Sequence, residues 1–140
     1  MRMSASDFNR QIIEEFRTNN GKVGGPFATT PLLLLHHTGA KSGTERVNPL
    51  AYQRIDGDTV AVFASKGGAP THPDWYHNLV ANPDARIEIG TEAYDVLARV
   101  ATDEERERIW EAQKRAKPNF ADYEQKAGDR VIPVVVLEKP

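Results

Sequence analysis

Apolar residues recur at two spacings along this chain, and each spacing predicts a different kind of element. Near the N-terminus, Phe8, Ile12 and Phe16 follow one another every fourth residue, which predicts an amphipathic helix within residues 1–20. From Leu32 onward, apolar residues alternate with polar ones or form short unbroken runs, as they do in strands. The pattern therefore predicts a leading helix followed by mainly β-structure.

Six segments carry the strand pattern: residues 32–38, 46–55, 59–65, 85–90, 93–100 and 131–138. The first segment is apolar on both faces, which is typical of a strand covered on both sides. Asp56 and Gly57 predict a tight hairpin between the second and third strands. Pro133 in the last segment indicates an edge strand or a bulge, because proline cannot donate to a ladder.

Two helical segments lie between the strands. Residues 72–83 have an early proline and acidic residue, and Thr71 or His72 is predicted to cap that helix. Thr102 and Glu105 have the spacing of a capping box that opens the next helix. Because the strands arrive as hairpins and not as alternating βαβ units, the pattern predicts an α+β protein with a mainly antiparallel barrel of about six strands and peripheral helices.

Length and composition restrict the class of protein further. The 140 residues suffice for one core, so residues 1–140 are predicted to form a single domain with an irregular linker at 21–31. The formal net charge of -2 gives no basic field for nucleic acid, and the lack of cysteine excludes disulfides and thiolate chemistry. Without a signal-peptide pattern or a membrane-length apolar run, the chain is predicted to be cytoplasmic.

The leading helix allows two interpretations. Its polar face mixes acidic and basic side chains, which favours a helix that docks on the rest of the domain. The alternative is an interfacial membrane anchor, although such anchors prefer a basic polar face.

A first glycine-rich stretch, HTGAKSGTERVNP at residues 37–49, places a turn with Lys41, Ser42 and Arg46 between two strands. Backbone N–H groups, hydroxyls and cations of such a turn make a good anion cradle. An ordinary solvated connection fits the bare pattern equally well. The residue order is not that of a Walker loop.

A second stretch, SKGGAPTHPDWYHNL at residues 65–79, combines a glycine pair with the start of a helix. A helix beginning near Pro73 would direct its N-terminus toward the glycines, where free N–H groups and Lys66 favour an anion. Trp75 and Tyr76 could stack on a planar ring, or they could simply belong to the core.

The histidines do not predict a metal site. His36 and His37 are adjacent on a strand and face opposite sides, so one of them is expected to hydrogen-bond in the interior. His72 and His77 lie five residues apart, whereas a zinc-binding helix spaces its histidines by four.

Later in the chain, Phe120 and Tyr123 are i, i+3 neighbours if residues 117–130 are helical. They could line one wall of a pocket or merely cover one end of the barrel. The sequence has no nucleophile elbow, cysteine nucleophile or carboxylate pair, so any difficult chemistry is expected from a cofactor.

These motifs resemble those of the deazaflavin-dependent nitroreductase family. The resemblance is carried by TGAKSG…R-x-NPL, ASKGGAPTHPDWYHNLVANP and ARVATDEERERIW, and it extends from about Leu32 to Leu137. It implies a split β-barrel of the pyridoxamine-phosphate-oxidase, flavin-binding type. It also implies hydride transfer from a reduced 8-hydroxy-5-deazaflavin, coenzyme F-420, to a quinone or nitro-type acceptor.

The resemblance further implies which residues form the site. By residue-to-residue match, the coenzyme would contact Lys41, Ser42, Gly43, Arg46, Val47, Asn48, Pro49, Leu50, Ala51, Tyr52, Phe63, Ala64, Ser65, Lys66, Asp74, Trp75, Tyr76, His77 and Asn78. Ser65 and Tyr123 would be the catalytic groups, and the acceptor wall would consist of Lys117, Phe120 and Tyr123. The best-known family member has three tyrosines in that wall, so the single tyrosine here favours quinones over nitroimidazoles.

Two alternatives to a deazaflavin reductase stay open. An FMN-dependent reductase could use the same barrel, since both coenzymes carry a phosphorylated ribityl chain. A non-catalytic carrier of deazaflavin or of a hydrophobic ligand is the other. In each case the predicted partner is a small molecule and not nucleic acid. The chain is expected to be a monomer or homodimer, with weak contact to the inner face of the membrane as a further option.

Overall fold

The computed structural model describes residues 5–25 and 30–140. Within them the main elements occur in the order α1 Ala5–Thr18, β1 Leu32–Thr38, β2 Glu45–Asp56, β3 Thr59–Phe63, α2 Asp74–Ala81, β4 Asp84–Ile89, β5 Glu92–Val100, α3 Asp103–Ala116, α4 Asn119–Ala127 and β6 Val134–Glu138. A short 3-10 turn at Lys66–Gly68 follows β3. The predicted start of the leading helix, before residue 5, and part of the predicted linker lie outside the described residues.

The six strands close into one barrel in the order β1-β2-β3-β6-β5-β4. Every neighbouring pair is antiparallel, and β1 completes the ring by pairing with β4 through Leu35 and Ile87. The predicted α+β barrel of six antiparallel strands is therefore confirmed. Closure leaves no unpaired strand edge in the ring.

The barrel interior is filled by alternate side chains from its strands and by one helix. The fully buried members from the strands are Leu33, Leu35, Val60, Val62, Ile87 and Leu137. Trp75 and Leu79 of α2 enter the same cluster and close one end. The strand period of two therefore sets the interior, as the alternation predicts.

Helices cover two outer faces of the barrel. On one face, Ile12 and Phe16 of α1 pack against Leu32 and Leu34 of β1, which explains why β1 is apolar on both sides. The Ile12 and Phe16 part of the apolar stripe of α1 is thus docked on the barrel, whereas Phe8 is 42% exposed. No helix in the described ranges is long and apolar enough to cross a membrane.

On the second face, α3 and α4 pack on the outer side of β3 and β6. Trp110 of α3 is completely buried there and lies against Phe63 and Phe120, with ring centroids 5.9 Å and 6.1 Å away. The Trp110 indole N–H donates to the carboxylate of Glu124 on α4. This packing fixes α4 beside the end of β3.

Two predicted details of the strands are wrong. The third strand ends at Phe63, two residues early, because the chain turns into the 3-10 segment after Ser65. Pro133 lies neither on an edge nor in a bulge. It precedes β6 directly, where its missing N–H costs no ladder bond, while its carbonyl accepts from the Ala64 N–H at 2.9 Å.

The predicted cap of α2 is also wrong. The helix begins directly after Pro73, which holds the N-cap position, and no side chain caps it. Thr71 and His72 are engaged elsewhere: the Thr71 hydroxyl accepts from Lys66 and the His72 Nδ1 accepts from Arg130. Their side chains therefore stabilise the preceding loop and not the helix.

The predicted capping box of α3 does not form, although the helix starts where it predicts. Thr102 occupies the N-cap position without a side-chain hydrogen bond. Glu105 instead accepts two hydrogen bonds from the Arg99 guanidinium, at 2.5 Å and 2.9 Å. A bidentate charged pair is stronger than a single bond to a backbone N–H, so the carboxylate turns toward β5.

Candidate functional site

An open groove of about 650 Å³ lies between β2, the end of β3, α2 and α4. Its size falls in the range of small-molecule sites, roughly 300–1,000 Å³. The residues that line it are Asn9, His37, Arg46, Asn48, Pro49, Leu50, Ala51, Phe63, Ser65, Lys66, Gly67, Pro73, Asp74, Trp75, Phe120 and Tyr123. Both glycine-rich stretches of the sequence contribute, so the fold brings them to one place.

The loop after β3 supplies the polar end of the groove. Lys66, Gly67 and Gly68 all have positive φ, at 48°, 62° and 84°, which is strained for the lysine and ordinary for the glycines. Ser65 is 9% exposed, and its hydroxyl makes no hydrogen bond to another residue in the described part of the chain. That hydroxyl is therefore free to bond a ligand in the groove.

Aromatic side chains from β3 and α4 form the opposite wall. The Phe120 ring lies between Phe63 and Tyr123, with ring centroids 5.5 Å and 5.2 Å away and edge-to-face geometry. Asn119 donates to the Tyr123 hydroxyl oxygen at 3.1 Å. Because that oxygen accepts, the phenolic proton remains available for a group bound in the groove.

The groove and the nearby turn carry basic side chains without acidic partners. Arg46 and Lys66 line the groove, and Lys41 is exposed on the turn between β1 and β2. Within residues 5–25 and 30–140, none of the three forms an ion pair. A polyanionic ligand would supply the missing negative charge, so the charge set matches a phosphorylated coenzyme with an acidic tail.

A buried histidine network connects the groove to the glycine-rich turn. His37, 2% exposed, contacts the Asn48 Oδ1 through Nε2 at 2.7 Å and the Asn78 Nδ2 through Nδ1 at 3.1 Å. The Asn78 Oδ1 accepts from the backbone N–H of Ala40 at 2.9 Å. With an acceptor on Nε2 and a donor on Nδ1, the network suits the neutral imidazole protonated at Nε2.

The interior histidine expected from the sequence is thus His37, and it adds a predicted pH effect. Burial lowers the pKa of His37 below its ordinary value of 6.5. The unfolded chain therefore takes up this proton at a higher pH than the folded chain does. The stabilisation that comes from keeping His37 neutral is therefore complete above pH 6.5. As the pH falls below 6.5 it is lost, and the free energy of unfolding decreases by at most about 1.4 kcal/mol per pH unit.

Urea unfolding of the wild type and His37→Gln between pH 5 and pH 7.5 measures this effect. The variant is expected to be less stable at neutral pH, because it loses the bond to Nδ1, but to lose less stability on acidification. His72, whose pKa burial also lowers, accounts for part of the remaining slope in both proteins. Equal slopes in the two proteins would contradict a role for His37.

Many of the predicted site residues share the groove. They are Arg46, Asn48, Pro49, Leu50, Ala51, Phe63, Ser65, Lys66, Asp74, Trp75, Phe120 and Tyr123. Phe120 and Tyr123 are in contact, as their spacing predicts. Their roles toward a coenzyme or acceptor stay predictions.

Other predicted site residues do not line this groove. The turn residues Lys41, Ser42 and Gly43 are exposed, and Lys117 is half-buried after the last turn of α3. Val47 packs with α1, while Ala64 and Tyr52 belong to the barrel core. Tyr76 lines a separate small groove against β5, His77 is exposed, and Asn78 lies behind His37.

The structure adds residues that the predicted site did not include: Asn9, His37 and, behind the groove, Arg130. His37 had a usable signal, since it continues the inward alternation of Leu33 and Leu35. Arg130 had none, because its partners lie 58 to 66 positions away in the chain. In the described residues, no cluster of three or more potential metal ligands occurs.

Comparisons with a family model and with known proteins identify the same family. The family model described as F420H(2)-dependent quinone reductase matches residues 8–139. An F420H(2)-dependent quinone reductase of Mycobacterium tuberculosis (strain ATCC 25618 / H37Rv) is 41% identical over 127 residues, which cover 89% of this chain and 85% of that protein.

Solved structures agree with the family match. A structure described as an F420-H2 dependent reductase (FDR-A) has a TM-score of 0.70 and 43% identity, covering 77% of this chain and 94% of that one. A structure described as a domain-swapped dimer has a TM-score of 0.72 and 39% identity, covering 96% and 100%. A pyridoxamine 5'-phosphate oxidase-like protein from Listeria innocua, at 16% identity and a TM-score of 0.53 over 93% and 91% of the chains, shares the fold.

Proposed function

Since this chain belongs to the F420H(2)-dependent quinone reductase family, we propose that it transfers a hydride from reduced coenzyme F-420 to a quinone bound in the groove. The observation that carries the proposal is the meeting of unpaired cations, a free Ser65 hydroxyl and an aromatic wall in one groove. A nitro-type acceptor is the second candidate within the same reaction class.

The residues present fit a polyanionic deazaflavin. Arg46 and Lys66 are proposed to bind its negatively charged part, and Lys41 on the neighbouring turn is proposed to reach the acidic tail. Leu50 and Ala51 give the ring an apolar floor. The His37 network holds this turn, β2 and α2 in fixed relation, so the binding groups are placed before the ligand arrives.

When bound, the reduced coenzyme supplies the hydride, and the protein supplies position and electrostatics. The acceptor wall of Phe120 and Tyr123 would hold a planar acceptor in the groove beside the coenzyme. Ser65 and Tyr123 donate hydrogen bonds to the acceptor oxygen on which negative charge develops. The wall carries one phenol, that of Tyr123, with Phe120 at its centre, and the family resemblance implies that this wall favours a quinone over a nitro-type acceptor.

The decisive experiment titrates the purified protein with F-420 and with FMN in both redox states, and then adds menadione. We expect F-420 binding and rapid reoxidation of its reduced form only when protein and quinone are both present. Binding of FMN alone would overturn the proposal. Tight F-420 binding without turnover of menadione or of a nitroimidazole would support the carrier alternative instead.

Replacing Ser65 with alanine is expected to lower kcat about tenfold, because one donor to the developing charge is lost; this corresponds to about 1.4 kcal/mol in the barrier. The affinity for the coenzyme should change little, since the cations remain. Stopped-flow reoxidation of reduced F-420 by menadione measures the rate, and Thr91→Ala, which removes an exposed hydroxyl from the turn between β4 and β5, serves as the control. An unchanged kcat would remove Ser65 from the reaction.

The assembly of this chain remains part of the proposal. A relative described as a domain-swapped dimer makes a homodimer possible for this chain, and a monomer is the alternative. Sedimentation of the purified protein over a range of concentrations distinguishes the two. Peripheral contact with a membrane would have to use surfaces other than the Ile12 and Phe16 stripe, which is already packed on β1.

A further inference from the structure

Arg130, between α4 and β6, lies beneath the loop of residues 64–72 and holds it by its backbone. The Arg130 guanidinium donates to the carbonyl of Ala69 through Nε at 2.8 Å and to that of Ser65 through Nη2 at 2.7 Å. Its Nη1 donates to the carbonyl of Ala64 at 3.0 Å and to the His72 Nδ1 at 2.8 Å. One half-buried side chain thus binds both ends of the loop.

Apart from Arg130 and the packing against α4, few bonds fix the shape of the 64–72 loop. The last bond of the barrel ladder on this side runs from the Ala64 N–H to the Pro133 carbonyl, and the loop's own backbone bonds span only three residues. Lys66 holds a positive φ that costs free energy for a residue with a side chain. Such a conformation persists only where contacts with the surrounding structure impose it. The hydrogen bonds from Arg130 are long-range contacts of this kind.

The same loop is pressed against α4. A Cβ built on Gly68 would lie 2.7 Å from the Tyr123 carbonyl oxygen and 2.7 Å from the Lys126 Cβ, so only glycine permits this approach. The loop carries Ser65 and Lys66, and α4 carries Tyr123. Arg130 follows α4 closely in the chain, and its guanidinium binds the loop. This one rigid group therefore connects the two sides of the groove.

We propose that Arg130 is a positioning residue, which sets the distance between Ser65 and Lys66 on one side of the groove and Tyr123 on the other. This inference rests on the proposed function for its effect on catalysis, but its effect on the loop does not. The planar fork of arginine meets four acceptors at fixed angles, which the single ammonium of a lysine cannot reproduce. Arg130→Lys therefore keeps the charge and loses the geometry.

The first test needs neither coenzyme nor quinone. Limited trypsin digestion of the wild type and of Arg130→Lys is followed by mass spectrometry, and cleavage after Lys66 is compared with cleavage after Lys41 on the exposed turn of the same molecule. We expect the rate of cleavage after Lys66, relative to that after Lys41, to rise about tenfold in the variant. The reason is that a loop no longer held by Arg130 enters the protease active site far more often. An unchanged ratio would overturn the proposal, whatever the activity.

The second test separates positioning from general stability. Arg106→Lys is the matched control, because Arg106 is also a half-buried arginine that donates to a backbone carbonyl, that of Ile132 at 2.7 Å, but outside the loop. Both variants are expected to unfold at lower temperature. Only Arg130→Lys should lower kcat for menadione, about tenfold, and by more than it weakens F-420 binding. An equal kinetic loss in both variants would also overturn the proposal.

A failure of the proposed function gives a different result. In that case the wild type itself would not reoxidise reduced F-420, while the trypsin comparison would still decide the role of Arg130 in the loop. Arg130→Met removes the charge as well as the geometry. We expect trypsin to cleave this variant after Lys66 faster than it cleaves Arg130→Lys. If the methionine variant does not fold, the lysine variant alone provides the comparison.

Discussion

Replacing Trp75 with alanine is expected to lower the free energy of unfolding by about 3–5 kcal/mol, the range for deleting a buried large aromatic side chain. Trp75 is only 6% exposed and lies in the barrel core with Leu79, although one part of it also borders the groove. Its loss would open a cavity at the end of the barrel that α2 closes. Urea unfolding monitored by circular dichroism measures the change.

The neighbours of Trp75 provide the controls. His77→Ala changes an exposed side chain of the same helix and should stay within about 0.5 kcal/mol of the wild type. Trp75→Phe keeps most of the apolar volume and is the better variant for testing contact with the coenzyme. If Trp75→Ala unfolded like the wild type, Trp75 would not be a core residue. Weak coenzyme binding by Trp75→Ala alone would not demonstrate stacking.

Neutralising the cations of the groove is expected to produce the largest effect on binding. Arg46→Gln and Lys66→Gln should each weaken F-420 binding about 10- to 100-fold, since a hydrogen bond to a charged group contributes about 1.5–3 kcal/mol. Neither residue has an acidic partner within the described ranges, so neither substitution leaves a buried carboxylate unpaired. Fluorescence titration with oxidised F-420 measures the dissociation constants.

Salt and position supply the controls for this binding experiment. Arg54→Gln removes a charge from the far part of β2, where Arg54 donates to the Gly57 carbonyl, and should leave the affinity unchanged. The wild-type affinity should fall as the salt concentration rises, and the variants should show a weaker salt dependence. If Arg46→Gln and Lys66→Gln both bound F-420 as tightly as the wild type, the placement of the coenzyme in this groove would be wrong.

The barrel could be predicted from the sequence because its information is local. The alternation in 85–90 and 93–100 indicates which side chains enter the core, such as Ile87 and Val96, and Asp56-Gly57 identifies a hairpin without knowledge of any distant residue. The burial of β1 on both faces is also predictable, because four consecutive leucines place apolar side chains on both faces of the strand.

The details of the site could not be predicted because they depend on distant partners. Pro133 avoids an edge because the barrel closes, and its carbonyl accepts from Ala64, which lies far earlier in the chain. The positive φ of Lys66 is imposed by contacts of its loop with Arg130 and α4. The residues next to Lys66 in sequence do not predict these contacts. The groove residues that are candidates from the sequence pattern alone are Arg46, Lys66, Trp75, Phe120 and Tyr123. It is the family resemblance that favours a coenzyme site over a core or solvated role for them.

Closure of the barrel also has a consequence for synthesis. β6 is the last of the six strands to leave the ribosome, yet it inserts between β3 and β5, pairing Val60 with Leu137 across most of the chain. Until then, β3 and β5 present open hydrogen-bonding edges to other nascent chains. Solubility during translation therefore depends on the synthesis of β6, and a ribosome stalled before Val134 would expose an aggregation-prone, five-stranded intermediate.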